Sequence, residues 1–268
     1  MGKKVQICVW TIIAIVVVLL LGGCIYNFVR ATKEEPIHPE VAFEIENLGT
    51  IKMELYPEYA PNTVKNIIKL VESGYYNNKV IYGKDEICLY VGRTAEGEAE
   101  NPTASLIFDE IKAGTEQDFE YSIKGEFIAN GFKQNTLSHE KGIVSLIRNN
   151  YGTGFYEQSY NSGNAQLAVM LSEDSANLNG VYAACGKITE GLELLEKIYN
   201  EAETVKPEVV EVEEKTTEEA IKQFVATQKI TSATVNTYGI DYGNPEIEEA
   251  FNYEEYMYQM MNSYYGEQ

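Results

Sequence analysis

Histidine, cysteine and basic residues are all scarce in this chain, and each shortage removes a class of function. Its 268 residues include 2 His and 4 Cys. His38 and His139 are too few and too far apart to build a metal site, and no Cys-x-x-Cys pair offers thiolate ligands. Neither a metal nor another cofactor is expected. Lys and Arg number 21 against 41 Asp and Glu, a formal charge of −20. A surface of that sign repels phosphate backbones, so nucleic acid is excluded as a partner. Cys8 and Cys24 fall in an apolar run, which leaves Cys88 and Cys185 for the rest of the chain. These two read as buried thiols acting as small hydrophobes. A disulfide between them would need a Cα spacing that sequence alone does not supply.

What is present begins at the N-terminus. Lys3 and Lys4 precede a nearly continuous apolar run from Val5 to Val29, interrupted mainly by Gln6 and Asn27. About 20 apolar residues suffice to cross a bilayer. Lysines before such a run favour a cytoplasmic N-terminus, which puts the acidic bulk outside the cytoplasm. The run reads as a single-pass anchor in the cell membrane. A second reading is a lipoprotein signal, because Leu21-Gly22-Gly23-Cys24 looks like a lipobox ending in a lipidated Cys24. Residues 1–30 are therefore a membrane anchor or a lipoprotein signal, and residues 31–40, polar with two prolines, are a linker.

Beyond the linker, strand signals dominate. Val41 to Ile45 and Thr50 to Tyr56 alternate about an Asn47-Leu48-Gly49 turn, as a hairpin would. Val64, Ile67, Ile68 and Val71 form an apolar stripe on a helix from about Thr63 to Glu72, stopped by Gly74. Runs within 80–91, 106–111, 119–127, 142–147, 165–171 and 230–238 predict further strands, and 192–199 a second helix. Residues 205–229 read as an acidic surface excursion with a helix in its second half. Residues 246–268 are an acidic Tyr/Met-rich helix or tail, with Ala250, Tyr253, Met257, Met260 and Tyr264 on one face. That face predicts a helix packed on its own domain, or one that meets a partner or a membrane. Many strands with few helices imply a closed, mostly antiparallel sheet.

Several segments, in order, resemble the cyclophilins. Ala60-Pro61-Asn62-Thr63-Val64-Lys65-Asn66 looks like the family's A-P-x-T-V-x-N, and Gly74-Tyr75-Tyr76 like its G-Y-Y. Phe108-Asp109-Glu110, Ser122 to Phe127, Asn130-Gly131-Phe132, His139 to Ser145, Gly186 to Gly191 and Thr237 to Tyr242 continue the series. The resemblance covers roughly 41–245, the cyclophilin-like domain. It implies a mainly β fold, an eight-stranded antiparallel β-barrel with two capping helices, to which the apolar run of 5–29 adds an N-terminal membrane helix. It also implies peptidyl-prolyl cis-trans isomerisation, with proline-containing segments of exported polypeptides as partners.

The residues that carry that chemistry in the family are only partly kept. The X-Pro amide turns over a barrier of about 18–20 kcal/mol, and family members lower it with an arginine that donates to the prolyl nitrogen. Aligning Gly74-Tyr75-Tyr76 puts Ile81-Tyr82-Gly83 on that F-H-R motif, so the arginine slot is Gly83. Lys84 is next to it, but strand alternation points it to the other face. By family position the groove takes Tyr82, Leu89, Val91, Ile147, Gln166, Ala168, Leu178 and Tyr182. Of these, Gln166 keeps the backbone-gripping glutamine, Tyr182 keeps a ring on the far wall, and Ala168 replaces the phenylalanine that floors the proline pocket. Arg148 reads as solvated or as projecting near the groove. The aromatics of 149–163 read as packed on the domain or as a binding rim. Two functions follow: a tethered isomerase with weakened catalysis, or an inactive peptide-binding or scaffold module at the cell surface.

Overall fold

Alternation in the first hairpin sets the barrel's inside and outside. In β1 (Glu40–Ile45), Val41, Phe43 and Ile45 are buried. In β2 (Gly49–Leu55), Ile51, Met53 and Leu55 are buried. The turn between them uses Asn47 at φ +60°, a left-handed value that asparagine tolerates. The computed structural model describes residues 15–23, 37–94, 106–108, 111–112, 121–201 and 228–265, with Gly2 and Ile13. The chain divides into two units, Met1–Ile37 and His38–Gln268.

In the second unit the hairpin leads into α1 (Pro61–Glu72), β3 (Lys79–Lys84) and β4 (Cys88–Thr94). Short pieces follow: β5 (Leu106–Phe108), β6 (Ile111–Lys112) and β7 (Tyr121–Ser122). Then come β8 (Ile143–Leu146), α2 (Tyr156–Tyr160), β9 (Leu167–Met170), β10 (Ala183–Glu190) and α3 (Leu192–Glu201). The chain ends with β11 (Ile230–Asn236), β12 (Glu248–Glu249) and α4 (Tyr253–Tyr265).

Eight strands form one sheet in the order β11-β1-β2-β10-β8-β9-β4-β3, all neighbours antiparallel. Its two edges meet. Val80 bridges Lys229, Asn78 N–H donates to Ile230 O at 2.8 Å, and Ile81 N–H donates to Gln228 O at 3.1 Å. The barrel is thus nearly closed, which hides the edge amides that would otherwise stand open.

Two helices put their apolar faces into the same core. Val64, Ile67, Ile68, Leu70 and Val71 of α1 are buried, as are Leu195 and Ile198 of α3. Each such aliphatic side chain contributes about 1.5–3 kcal/mol on burial. Helix α1 begins at Pro61, two residues before the sequence expectation, because proline at the first turn is already set for helix. Its free amides are capped from a distance. Asn62 N–H and Thr63 N–H donate to the two Glu126 carboxylate oxygens at 2.9 and 2.7 Å.

Some expectations are corrected. Of the described residues of the 119–127 run, Tyr121 and Ser122 are a named strand, β7, with Ile123 in an isolated bridge to Gly163. The 149–163 loop holds the short helix α2, which has no apolar stripe to announce it. Cys88 and Cys185 are free buried thiols, as expected, and burial pushes the Cys88 thiol up to about 12. The expected exit of α4 onto its own domain holds only at its start, since Met257 and Met260 are exposed. No helix of the described residues is long and apolar enough to cross a membrane. Of the apolar run, the continuous described part is helical over 15–23. Cys24 and the excursion at 205–227 lie outside the described residues.

Candidate functional site

Gln166 is the centre of the site. It stands immediately before β9, is 9% exposed, and its backbone carbonyl accepts from Ile147 N–H at 2.9 Å. Its side-chain oxygen accepts from the Tyr82 hydroxyl at 2.7 Å and from Arg93 Nε at 3.3 Å. The Arg93 guanidinium lies over the Tyr82 ring, 4.3 Å from its centroid. Tyr82 in turn stacks on Tyr90 at 5.8 Å. These contacts join β3, β4 and β9 in one polar cluster.

Arg93 is the residue that sequence reasoning missed. It reaches the cluster because Gly92 breaks the alternation of β4. Gly92 has φ +111°, and a Cβ there would stand 3.1 Å from Ala165 O. The close approach of β4 to the start of β9 needs glycine, and the left-handed step turns Arg93 outward. A glycine directly before the strand's arginine was the available signal. The two strands also slip in register at Val80/Ile81 and Ile81/Gly83.

Unbroken pairing of Cys88–Val91 with β9 fixes which β4 residues face outward. Leu89 and Val91 do not. Both are buried in the barrel's interior cluster. The outer face of β4 is carried by Cys88 and Tyr90, which pack with Ile143, Ala168, Met170, Ile147 and Leu178 in a second apolar cluster. Tyr90 pairs directly with Ala168 across β4 and β9. Its ring therefore packs beside the small Ala168 side chain. The Tyr90 hydroxyl donates to Asp85 at 2.5 Å, and Ile87 and Cys88 amides donate to the same carboxylate at 2.7 Å each. Burial raises the Asp85 pKa, but these hydrogen bonds outweigh it and hold the carboxyl below its usual range. Burial, with the hydrogen bond to Asp85 after it, raises the Tyr90 hydroxyl, so Tyr90 stays neutral.

Gly83 pairs with Tyr90 across β3 and β4. A Cβ at Gly83 would stand 3.6 Å from the Tyr90 ring, an ordinary contact. Lys84 points elsewhere: its Nζ donates to Tyr199 O at 2.6 Å in the last turn of α3, where a cation meets the helix's negative end.

Next to Gln166 lies a cavity of about 90 Å³. Arg93, Gln166, Ile147 and Arg148 line it, together with Ser122, Asn149, Ser162 and Asn164. Arg148 is half-buried rather than solvated. Its guanidinium lies over Tyr182 at 4.5 Å and Tyr160 at 4.9 Å, and Nε donates to Val181 O at 3.1 Å. This contact also ties Tyr182 to the cavity. Leu178 reaches the apolar cluster through the loop that His139 fastens. His139 N–H donates to the Asn179 side chain at 2.7 Å, and the ring lies 3.2 Å from Ser145 Oγ of β8.

The cavity wall is completed from the C-terminal segment. β12 pairs with β7, which sets Ala250 and Phe251 beside Tyr151. Tyr151 meets the Phe251 ring at 5.3 Å and stacks on Tyr253 at 5.5 Å. Phe155 adds edge contacts to Tyr253 and Tyr256 at 5.5 and 5.4 Å. The loop aromatics are thus both packed and part of a rim. Sequence reasoning could not place Ala250 and Phe251 here, because about 80 residues separate them from Gln166 along the chain. No group of His, Cys, Asp and Glu among the described residues could hold a metal.

Comparison with known proteins bears on the family. A family model described as cyclophilin type peptidyl-prolyl cis-trans isomerase/CLD matches residues 40–232. Arabidopsis thaliana peptidyl-prolyl cis-trans isomerase CYP23 is 30% identical over 185 residues, 67% of this chain and 71% of that protein. Bacillus subtilis (strain 168) peptidyl-prolyl cis-trans isomerase B is 28% identical over 158 residues, 59% of this chain and 89% of that protein. A crystal structure of a Cryptosporidium parvum cyclophilin type peptidyl-prolyl cis-trans isomerase, in the presence of dipeptide Ala-Pro, aligns with TM-score 0.48 and 19% identity. It covers 74% of this chain and 99% of that one. A family match that runs from β1 into β11, across every strand of the barrel, means that this chain belongs to the cyclophilin-type peptidyl-prolyl cis-trans isomerase family.

Proposed function

We propose that this protein is a membrane-tethered cyclophilin-type protein that binds proline-containing segments of exported polypeptides and isomerises them slowly. The observation that carries the slow step is Gly83. The position that gives family members their donor arginine has no side chain here, and the Tyr90 ring packs beside it. The guanidinium nearest in the cluster, Arg93, has its Nε engaged by Gln166 and its face on Tyr82. Gln166 remains on the groove to hold a substrate backbone, so binding outlasts turnover. Losing one preorganised donor costs roughly 100- to 1000-fold in rate.

The tether rests on the apolar run from Val5 to Val29 behind Lys3 and Lys4. Its described residues leave Ile15 to Leu21 about half or more exposed, an apolar surface suited to lipid. Lipidation at Cys24 is the other route to the same placement outside the cytoplasm.

A protease-coupled proline-peptide assay tests the enzymatic part. The wild-type rate is expected to be about 100-fold or more below that of the Bacillus subtilis relative measured beside it. Gly83→Arg is expected to raise it, since the Cβ fits at 3.6 Å from Tyr90. Equal rates for wild type and relative would overturn the reading.

A further inference from the structure

The cavity beside Gln166 holds two arginines in a chain that is otherwise acidic, and no ion pair among the described residues engages either one. Both are held in place before anything binds. Arg148 lies over the rings of Tyr182 and Tyr160, and its Nε and Nη1 donate to the carbonyls of Val181 and Asn149 at 3.1 and 3.3 Å. Arg93 lies over Tyr82 and donates through Nε to Gln166. Both line the cavity, and the hydrogen bonds among the described residues use Nε of Arg93 and Nε and Nη1 of Arg148. Planar guanidinium forks fixed in this way match a carboxylate in two-point contact.

We infer that this cavity takes the carboxylate of an Asp or Glu side chain on the polypeptide held in the groove, so that the protein selects acidic proline-containing segments. This rests on the groove reading above. Gln166 lines the same cavity, which places an anionic side chain of a bound chain within reach of both arginines. The formal charge of −20 does not oppose it. Charges farther than a Debye length of about 8 Å are screened at physiological ionic strength, whereas a carboxylate in the cavity would touch the guanidiniums directly. Arg148 is half-buried, with Ala250 and Phe251 lining the cavity beside it, and partial burial strengthens a charge-assisted hydrogen bond there.

Labelled octapeptides with one central proline test this by fluorescence anisotropy on the full chain. Glu, Gln or Lys is placed one, two or three residues before the proline. At one of these positions the Glu peptide is expected to bind about 10-fold tighter than the Gln peptide, the size of a charge-assisted contact. The Lys peptide should be weakest, and the gap should narrow as salt rises. Arg93→Gln, on an exposed side chain, should remove most of the gap while the Gln peptide loses much less; Arg148→Lys checks the second arginine with its charge kept. Equal binding of Glu and Gln peptides at every position would overturn the acidic preference and leave the groove reading standing. No binding by any peptide would overturn both.

Discussion

At the residue scale, His139 joins stability to the site. It is buried, and burial lowers its pKa, with the Asn179 hydrogen bond pulling the other way. The unfolded chain takes up this proton near 6.5, and the fold takes it up only at lower pH. Between those values the unfolded state binds more protons, so stability rises with pH and is lost as pH falls. The urea midpoint is therefore expected to drop between pH 7.5 and 5.5, and to drop less in His139→Gln. The same drop in both proteins would assign the dependence to other groups. Because His139 fastens Asn179, the acid-induced loosening should begin at the loop that carries Leu178. The sequence showed His139 within a family motif. It did not show that its ring would be buried between a loop and β8, since that depends on strand pairing.

At the scale of elements, α1 shows how a local signal is completed from far away. Its apolar stripe was legible, because a 3.6-residue period needs nothing but order along the chain. Its cap was not. Ala60 makes no side-chain cap bond, and the first turn holds no acidic residue. Glu126, about 60 residues on, supplies both acceptors. Burial raises the pKa of that carboxyl against the lowering effect of the two amides. Its removal leaves one buried and one part-buried donor unpaired, so Glu126→Ala is expected to cost about 2 kcal/mol in urea unfolding. Glu126→Gln, which keeps an acceptor, should cost less. A neutral Glu126→Ala would mean that water replaces the cap. Strand β4 gives the complementary lesson. Its existence was plain, but its facing was not: pairing with β9 turns Leu89 and Val91 inward, and Gly92 redirects Arg93. A one-residue slip exchanges the faces of a strand.

For the whole molecule, the barrel is complete from β1 to β11, and its core draws on residues from Val41 to Ile230. A chain of residues 38–268 is expected to unfold in urea at the midpoint of the full chain. The full chain should sediment with washed membranes, and the shortened one should stay in the supernatant. A soluble full chain would remove the tether, and an unfolded short chain would mean that the first unit supports the second.

The sequence by itself determined the family, the predominance of strands and the apolar stripe of α1. All of these follow from residue type and spacing along one dimension. The tertiary structure alone decided the facing of β4, the capping of α1 by Glu126, and the meeting of Arg93, Arg148, Gln166 and Phe251 around one cavity. Those depend on register, glycine backbone freedom and sheet closure. Each is set by which strands pair and by how closely their backbones approach, so neighbours in space are fixed only once the barrel has formed.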